Sequence, residues 1–192
     1  MMDGSSLYAG GFRDAPVDAA HAFRAAMSAM ARPGDIRRIA GAEPPAPLSV
    51  AAGTLLLTLC DPETRVHLAG AVDTDAVRQW LSFHTGAPLV DAAEADFALG
   101  SWADLMPLSR YRIGTPEYPD RSAALIVECD ALENTGAVLS GPGIRDTARL
   151  SLPDVDTLKG NAILYPLGCD FFFTCGDRVA ALPRSTTIVA EG

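Results

Sequence analysis

Lysine is almost missing from this chain. Of 15 basic residues among 192, Lys159 is the one lysine and the other 14 are arginine. A mechanism that needs an amine, such as an imine with a carbonyl cofactor, therefore has a single candidate. Histidine is scarce as well. His21, His67 and His84 make neither a His-x-x-x-His nor a Glu-x-x-His pair, so no metal site is expected. The four cysteines, Cys60, Cys129, Cys169 and Cys175, contain no Cys-x-x-Cys, and their spacing fits neither a zinc ribbon nor an iron–sulfur run. They read as buried free thiols of a cytoplasmic protein, with a Cys169–Cys175 bridge as the alternative. No Gly-x-Ser-x-Gly elbow is present, which argues against an ordinary serine hydrolase. The longest strongly apolar stretch, residues 48–60, is too short to span a bilayer. Met1-Met2-Asp3-Gly4-Ser5-Ser6 shows no basic segment leading into an apolar one, so no secretory signal is read.

What is present is an acidic chain fit to bury a core. Hydrophobic residues make up 48% and charged residues 20%, which excludes a wholly disordered or fibrous protein. Fifteen basic against 24 acidic residues give a net charge of −9. That field repels nucleic-acid backbones and anionic lipid, so neither nucleic acid nor a membrane surface is an expected partner. A small phosphorylated ligand needs only a local cluster of donors and stays possible. With no repeat or boundary visible, residues 1–192 read as one domain.

Asp14 and Pro16 have the chemistry of a helix start, and Pro33-Gly34 that of a stop. Between them Ala20, Phe23, Met27 and Met30 recur at helical spacing and read as the buried face. Residues 35–40 are a short extended segment. Residues 48–60 read as a buried helix or, through Leu55-Leu56-Leu57, as a core strand. A strand at 65–69 precedes an amphipathic helix from a cap at Asp73 or Thr74 to Thr85, ended by Gly86. A strand at 96–100 and a short helix at 101–108 follow, then a proline-bearing loop over 111–121. Strands are read at 123–129, 137–140, 170–175 and 179–182, with Gly176-Asp177 as a hairpin turn and 154–160 as an acidic loop. Helices dominate the first half and strands the second, which implies a three-layer α/β domain with a mixed sheet, or a mixed α+β domain.

Leu139-Ser140-Gly141-Pro142-Gly143-Ile144, followed by Arg145, reads either as an anion cradle or as a plain tight turn. His84, one turn from the end of its helix, reads as a ligand contact or as a histidine donating to a carbonyl. His21 and Arg24, three residues apart, suit a phosphate or a solvated helix face. Lys159 lies among acidic residues that keep its ammonium protonated, the reverse of what an imine requires.

Four segments in collinear order carry a resemblance. They are residues 23–34 ending in Arg32-Pro33-Gly34; Leu55 to Asp61, leading to Val66-His67-Leu68; Phe83-His84-Thr85-Gly86-Ala87-Pro88-Leu89; and Tyr165-Pro166-Leu167-Gly168-Cys169-Asp170, continuing through Thr174-Cys175-Gly176 to residues 182–187. Together with Leu139 to Ile144 they resemble the PhnH family, the H subunit of the carbon–phosphorus lyase core complex. The chain departs from the family in a shorter stretch at 154–164, and at Ala31-Arg32 and Tyr165, where serine with a variable residue and phenylalanine are expected.

The resemblance implies a fold similar to the large domain of pyridoxal-phosphate-dependent transferases, without the cofactor. It implies homodimers of the isolated chain and a working assembly with the G, I and J subunits. That assembly makes α-D-ribose 1-methylphosphonate 5-triphosphate from ATP and methylphosphonate, with the I subunit carrying the chemistry. The J subunit's iron–sulfur cluster and S-adenosylmethionine later break the carbon–phosphorus bond. The chain is then an accessory subunit with no catalytic residue of its own, and Trp80 and Phe83 are candidate interface residues. The competing reading is a stand-alone domain or dimeric enzyme holding a phosphate or nucleotide through Arg24, Arg145 and Arg184, with His84 as a further ligand candidate. A third is a degenerate pyridoxal enzyme built on Lys159.

Overall fold

The computed structural model describes residues 9–189; the N-terminal residues Met1 to Ser6, in which no secretory signal is read, lie outside them. Helix α1 (Ala15–Ala31) starts where its cap predicts: the Asp14 carboxylate accepts from the Val17 N–H, and Pro16 sits in the first turn. Strand β1 (Arg37–Arg38) precedes α2 (Val50–Leu59), which Ser49 caps by accepting from Ala52 N–H at 3.1 Å. The three-leucine run is thus helix. After β2 (Val66–Leu68) comes α3 (Asp75–Thr85), capped by Thr74 and ended by Gly86 at φ +68°, a left-handed turn that glycine adopts without strain. Strand β3 (Phe97–Ser101) runs straight into α4 (Trp102–Leu105). The remaining elements are β4 (Ala124–Glu128), β5 (Ala137–Ser140), β6 (Ala148–Leu150), α5 (Val155–Ile163), β7 (Asp170–Cys175), β8 (Arg178–Leu182) and β9 (Thr187–Val189).

Six strands form one sheet in the order β1-β8-β7-β4-β3-β2. Strands β2, β3, β4 and β7 are mutually parallel, while β8 returns antiparallel through the Gly176-Asp177 turn and carries β1 on its far side. A smaller antiparallel sheet has the order β6-β5-β9. Alternation along the strands feeds two cores. Ile126 and Phe172 face α1, α2 and α3; Leu125, Val127, Phe171 and Phe173 face α4, α5 and the small sheet. Helices, mixed sheet and a second covering layer make three layers, so the mixed α/β class read from the sequence holds. The triple phenylalanine divides between the two cores and is fully buried.

Two readings need correction, and two strands go beyond them. Phe23 and Met27 do not form the buried face of α1: they are 51% and 38% exposed, and Ala22, Ala26 and Ala29 are buried instead. Small side chains let α1 lie close against α2, which presents Ala51 and Ala52 among its buried residues. The acidic loop at 154–160 is the start of α5, capped by Asp154 through the Thr157 N–H at 3.0 Å. Gly160, where an added Cβ would meet nothing within 4 Å, hides that helix from a propensity reading. Strands β6 and β9 are three residues each and were not anticipated.

Candidate functional site

The densest polar cluster lies at the amino ends of the parallel strands. Asp96, just before β3, accepts from Arg65 Nε and Nη2, both at 3.1 Å, from the Arg65 backbone N–H at 2.9 Å, and from Arg112 Nη2. Asp170, opening β7, accepts from Arg184 Nη2 at 2.6 Å and Nε at 3.1 Å, and from the Arg184 backbone N–H at 2.8 Å. These residues, with Asp120, Arg121 and Ser122, line a cavity of about 610 Å³. Arg184 also donates through Nη1 to the carbonyls of Pro119 and Pro166 and through Nη2 to Ser122 Oγ. All five guanidinium N–H groups are therefore engaged inside the chain, and none is left for a phosphate.

Burial raises the cost of the Asp96 charge, but the hydrogen bonds from Arg65 and Arg112 outweigh it and hold the carboxyl below its ordinary value. A depressed folded value stabilises the protein above the unfolded carboxyl pKa of roughly 3.9, and that contribution is lost as the pH falls through the folded value. About a third of each partner's side chain is exposed, which limits the gain. Asp96→Asn is expected to cost about 1 kcal/mol at pH 7, with the gap to wild type closing as the pH drops below about 4. Urea unfolding at pH 7 and pH 3 measures it; a gap that ignores pH would rule out the ion pair as its source.

Ligands of open α/β sheets bind beyond the carboxyl ends of the strands. Here Glu128, ending β4, fills that position. Its Oε1 accepts from the Ser49 N–H at 2.7 Å and its Oε2 from Thr174 Oγ1 at 2.9 Å, which draws the start of α2 onto the strand end.

The other sequence candidates are scattered. Arg24 is exposed on α1 and Arg145 is exposed in the β5–β6 turn, so neither lines the Arg184 cavity. The glycine-rich turn owes its glycines to packing: at Gly143, φ +82°, an added Cβ would sit 2.0 Å from the Ala31 carbonyl oxygen at the end of α1. Gly143→Ala is expected to destabilise by about 2 kcal/mol, from left-handed strain plus that clash. A neutral substitution in urea unfolding would show that the turn is free to move. His84 Nε2 lies 3.3 Å from the Ala9 carbonyl, which Trp80 Nε1 also reaches at 3.1 Å, and the His84 ring packs on Gly11. Trp80, 1% exposed, belongs to the core, so the interface reading of this helix passes to Phe83, 57% exposed. Among the described residues no three of His, Cys, Asp and Glu gather where they could hold a metal ion.

The sequence reading missed Arg65, Asp96, Arg112, Asp170 and Glu128. One signal was available: Asp96 and Asp170 each stand at the first position of a strand candidate, where a carboxylate has no reason to be unless something pairs it.

Apart from Tyr118 and Val189, the large exposed apolar side chains fall on two parts of the chain. Val17, Phe23 and Met27 project from α1, with Phe83 on α3 in the same helix layer. Ile163, Leu164 and Tyr165 cluster at the end of α5, beside a cavity of about 510 Å³ lined by Leu164, Tyr111 and Ile113. No helix among the described residues is long and apolar enough to cross a membrane.

A mixed α/β domain whose densest arginine–carboxylate clusters are closed on themselves, and whose large apolar side chains are partly outside, has the make-up of a subunit built to be covered. The family model described as "Bacterial phosphonate metabolism protein (PhnH)" matches residues 10–189. The chain is 40% identical over 196 residues to the alpha-D-ribose 1-methylphosphonate 5-triphosphate synthase subunit PhnH of Rhizobium meliloti (strain 1021), covering 97% of this chain and 98% of that one. The chain belongs to the PhnH family.

Proposed function

We propose that this protein is a non-catalytic subunit of a bacterial α-D-ribose 1-methylphosphonate 5-triphosphate synthase, serving phosphonate catabolism in the cytoplasm. The observation that carries this reading is the end-to-end match with a protein named as a subunit of that synthase. Residues 1–192 act as one domain, a cofactor-free relative of the pyridoxal-phosphate transferase large domain. It joins the G, I and J subunits through its apolar faces, and a homodimer covers part of that surface when the chain is isolated. The placement of the arginines supports an accessory role over a stand-alone phosphate site: Arg184 is engaged inside the chain, and Arg24 and Arg145 lie outside its cavity.

Co-expression of the tagged chain with G, I and J subunits from one source, followed by size-exclusion chromatography, tests the reading. Stoichiometric co-elution is expected. Assembly of the other three without this chain would overturn it and return the arginines to consideration as a ligand site.

A further inference from the structure

Two of the four cysteines lie on adjacent strands. Strands β4 and β7 pair in parallel with Glu128 opposite Thr174, and the Cys129 N–H donates to the Thr174 carbonyl at 2.8 Å. The next rung of that ladder is Cys129 opposite Cys175. In-register side chains of parallel strands leave the sheet on the same face, and both cysteines pack against the core that faces α5 and the small sheet. The Cys175 thiol reaches across to the Asp130 carbonyl, one residue past Cys129, at 3.5 Å, and the Cys129 thiol turns to the Val127 carbonyl at 3.6 Å. Neighbouring strands lie about 4.8 Å apart, inside the span of Cα separations, roughly 4.4–6.8 Å, that a disulfide bridges. Cys60 and Cys169 are buried, whereas Cys129 and Cys175 are only partly buried at the sheet's carboxyl edge.

We infer that Cys129 and Cys175 form a dithiol site for reversible oxidation by low-molecular-weight disulfides. The two sulfurs are not equivalent. Arg178 Nη2 lies 4.0 Å from Cys175 Sγ, setting a positive charge beside that sulfur, whereas burial first, with charge on Cys175 second, pushes the Cys129 thiol up to about 12. Cys175 attacks first. Its thiolate takes one sulfur of the small disulfide, and one small thiolate leaves. Cys129 then attacks the Cys175 sulfur and expels the second. The pair of protein thiols loses two electrons and two protons; the small disulfide gains both and departs as two thiols. The new bond ties the ends of β4 and β7 beside Glu128 and Thr174, the residues that hold the start of α2. This differs from the Cys169–Cys175 bridge weighed from the sequence, because Cys169 is buried before β7 and its sulfur turns to the Arg112 carbonyl.

The test uses the purified full-length chain and oxidised glutathione, with thiols counted after denaturation and peptides mapped without reduction. Wild type is expected to lose two of its four thiols, to carry a peptide linked through Cys129 and Cys175, and to regain both thiols on reduction. Cys129→Ser is expected to stop at one stable glutathione adduct on Cys175. Cys175→Ser is expected to keep Cys129 free on the same timescale. Separate adducts on Cys129 and Cys175 without a link, or earlier loss of Cys60 or Cys169 from the native chain, would overturn the proposal. Since the readout is chemical and made on the isolated chain, its failure leaves the subunit reading standing, and the reverse holds as well.

Discussion

Arg184→Ala is expected to lower the stability of this protein by about 3 kcal/mol, the cost of leaving one partner of a mostly buried ion pair uncompensated, reduced for partial exposure. The Arg184 side chain is 13% exposed and that of Asp170 is 27% exposed. Truncation leaves the Asp170 carboxylate with the Arg184 backbone N–H in place of three contacts, and the Pro119 and Pro166 carbonyls lose their donor. Three segments far apart in sequence therefore come loose together: the 119–122 turn, the run into β7, and the residues after β8. For a chain of this size the loss corresponds to a fall in melting temperature of about 6–12 °C. Arg184→Lys restores a charge but not the planar fork, and is expected to recover less than half of it. Paired replacement, Arg184→Met with Asp170→Asn, is expected to be milder than Arg184→Ala, because no buried carboxylate is stranded. A loss under 1 kcal/mol for Arg184→Ala in urea unfolding would mean that the cluster is not structural, and would reopen Arg184 as a ligand-binding residue.

How far the sequence alone reaches is clear from individual elements. Helices α1 and α3 were legible because their ends carry local chemistry: Asp14 with Pro16 at one start, Thr74 and Gly86 around the other. The β7–β8 hairpin was legible for the same reason, since Gly176-Asp177 is a turn written in two residues. The face of α1 was not legible. Hydrophobic size points to Phe23 and Met27, but contact with α2 selects Ala22, Ala26 and Ala29, a choice that depends on how close the neighbouring helix comes. Nor was the arginine–carboxylate cluster, whose partners Arg65, Asp96 and Arg112 are separated by 31 and 16 residues and meet only when β2, β3 and the segment leading into β4 come together. Strands β6 and β9 were not read, whereas the equally short β2 was, because β2 shows an alternation of Val66, His67 and Leu68 and β6 and β9 carry no comparable local pattern. Family membership was legible because it rests on ordered segments along the whole chain, not on any single site.

The second large effect concerns the apolar side of α1. Val17, Phe23 and Met27 are 48%, 51% and 38% exposed, with Arg24 beside them on the same side of the helix. About half of each of these side chains faces solvent, and covering that half benefits an assembly. Phe23→Glu with Met27→Glu is expected to keep the unfolding free energy of the isolated chain within about 1 kcal/mol of wild type, about twice the effect of one surface change. The same pair is expected to weaken co-elution with the partner subunits by more than about a hundredfold, since two anchors are removed and two unpaired charges are set into an apolar contact. Ile163→Glu adds one negative charge, against two in the α1 pair, at the end of α5, where the side chain is 81% exposed, and compares the second apolar group with the first. If the α1 variant co-elutes normally while Ile163→Glu does not, the partner sits on the α5 side and the assignment of faces is reversed. If both co-elute normally, the exposed apolar residues do not build the assembly, and the subunit must be held through its polar surface instead.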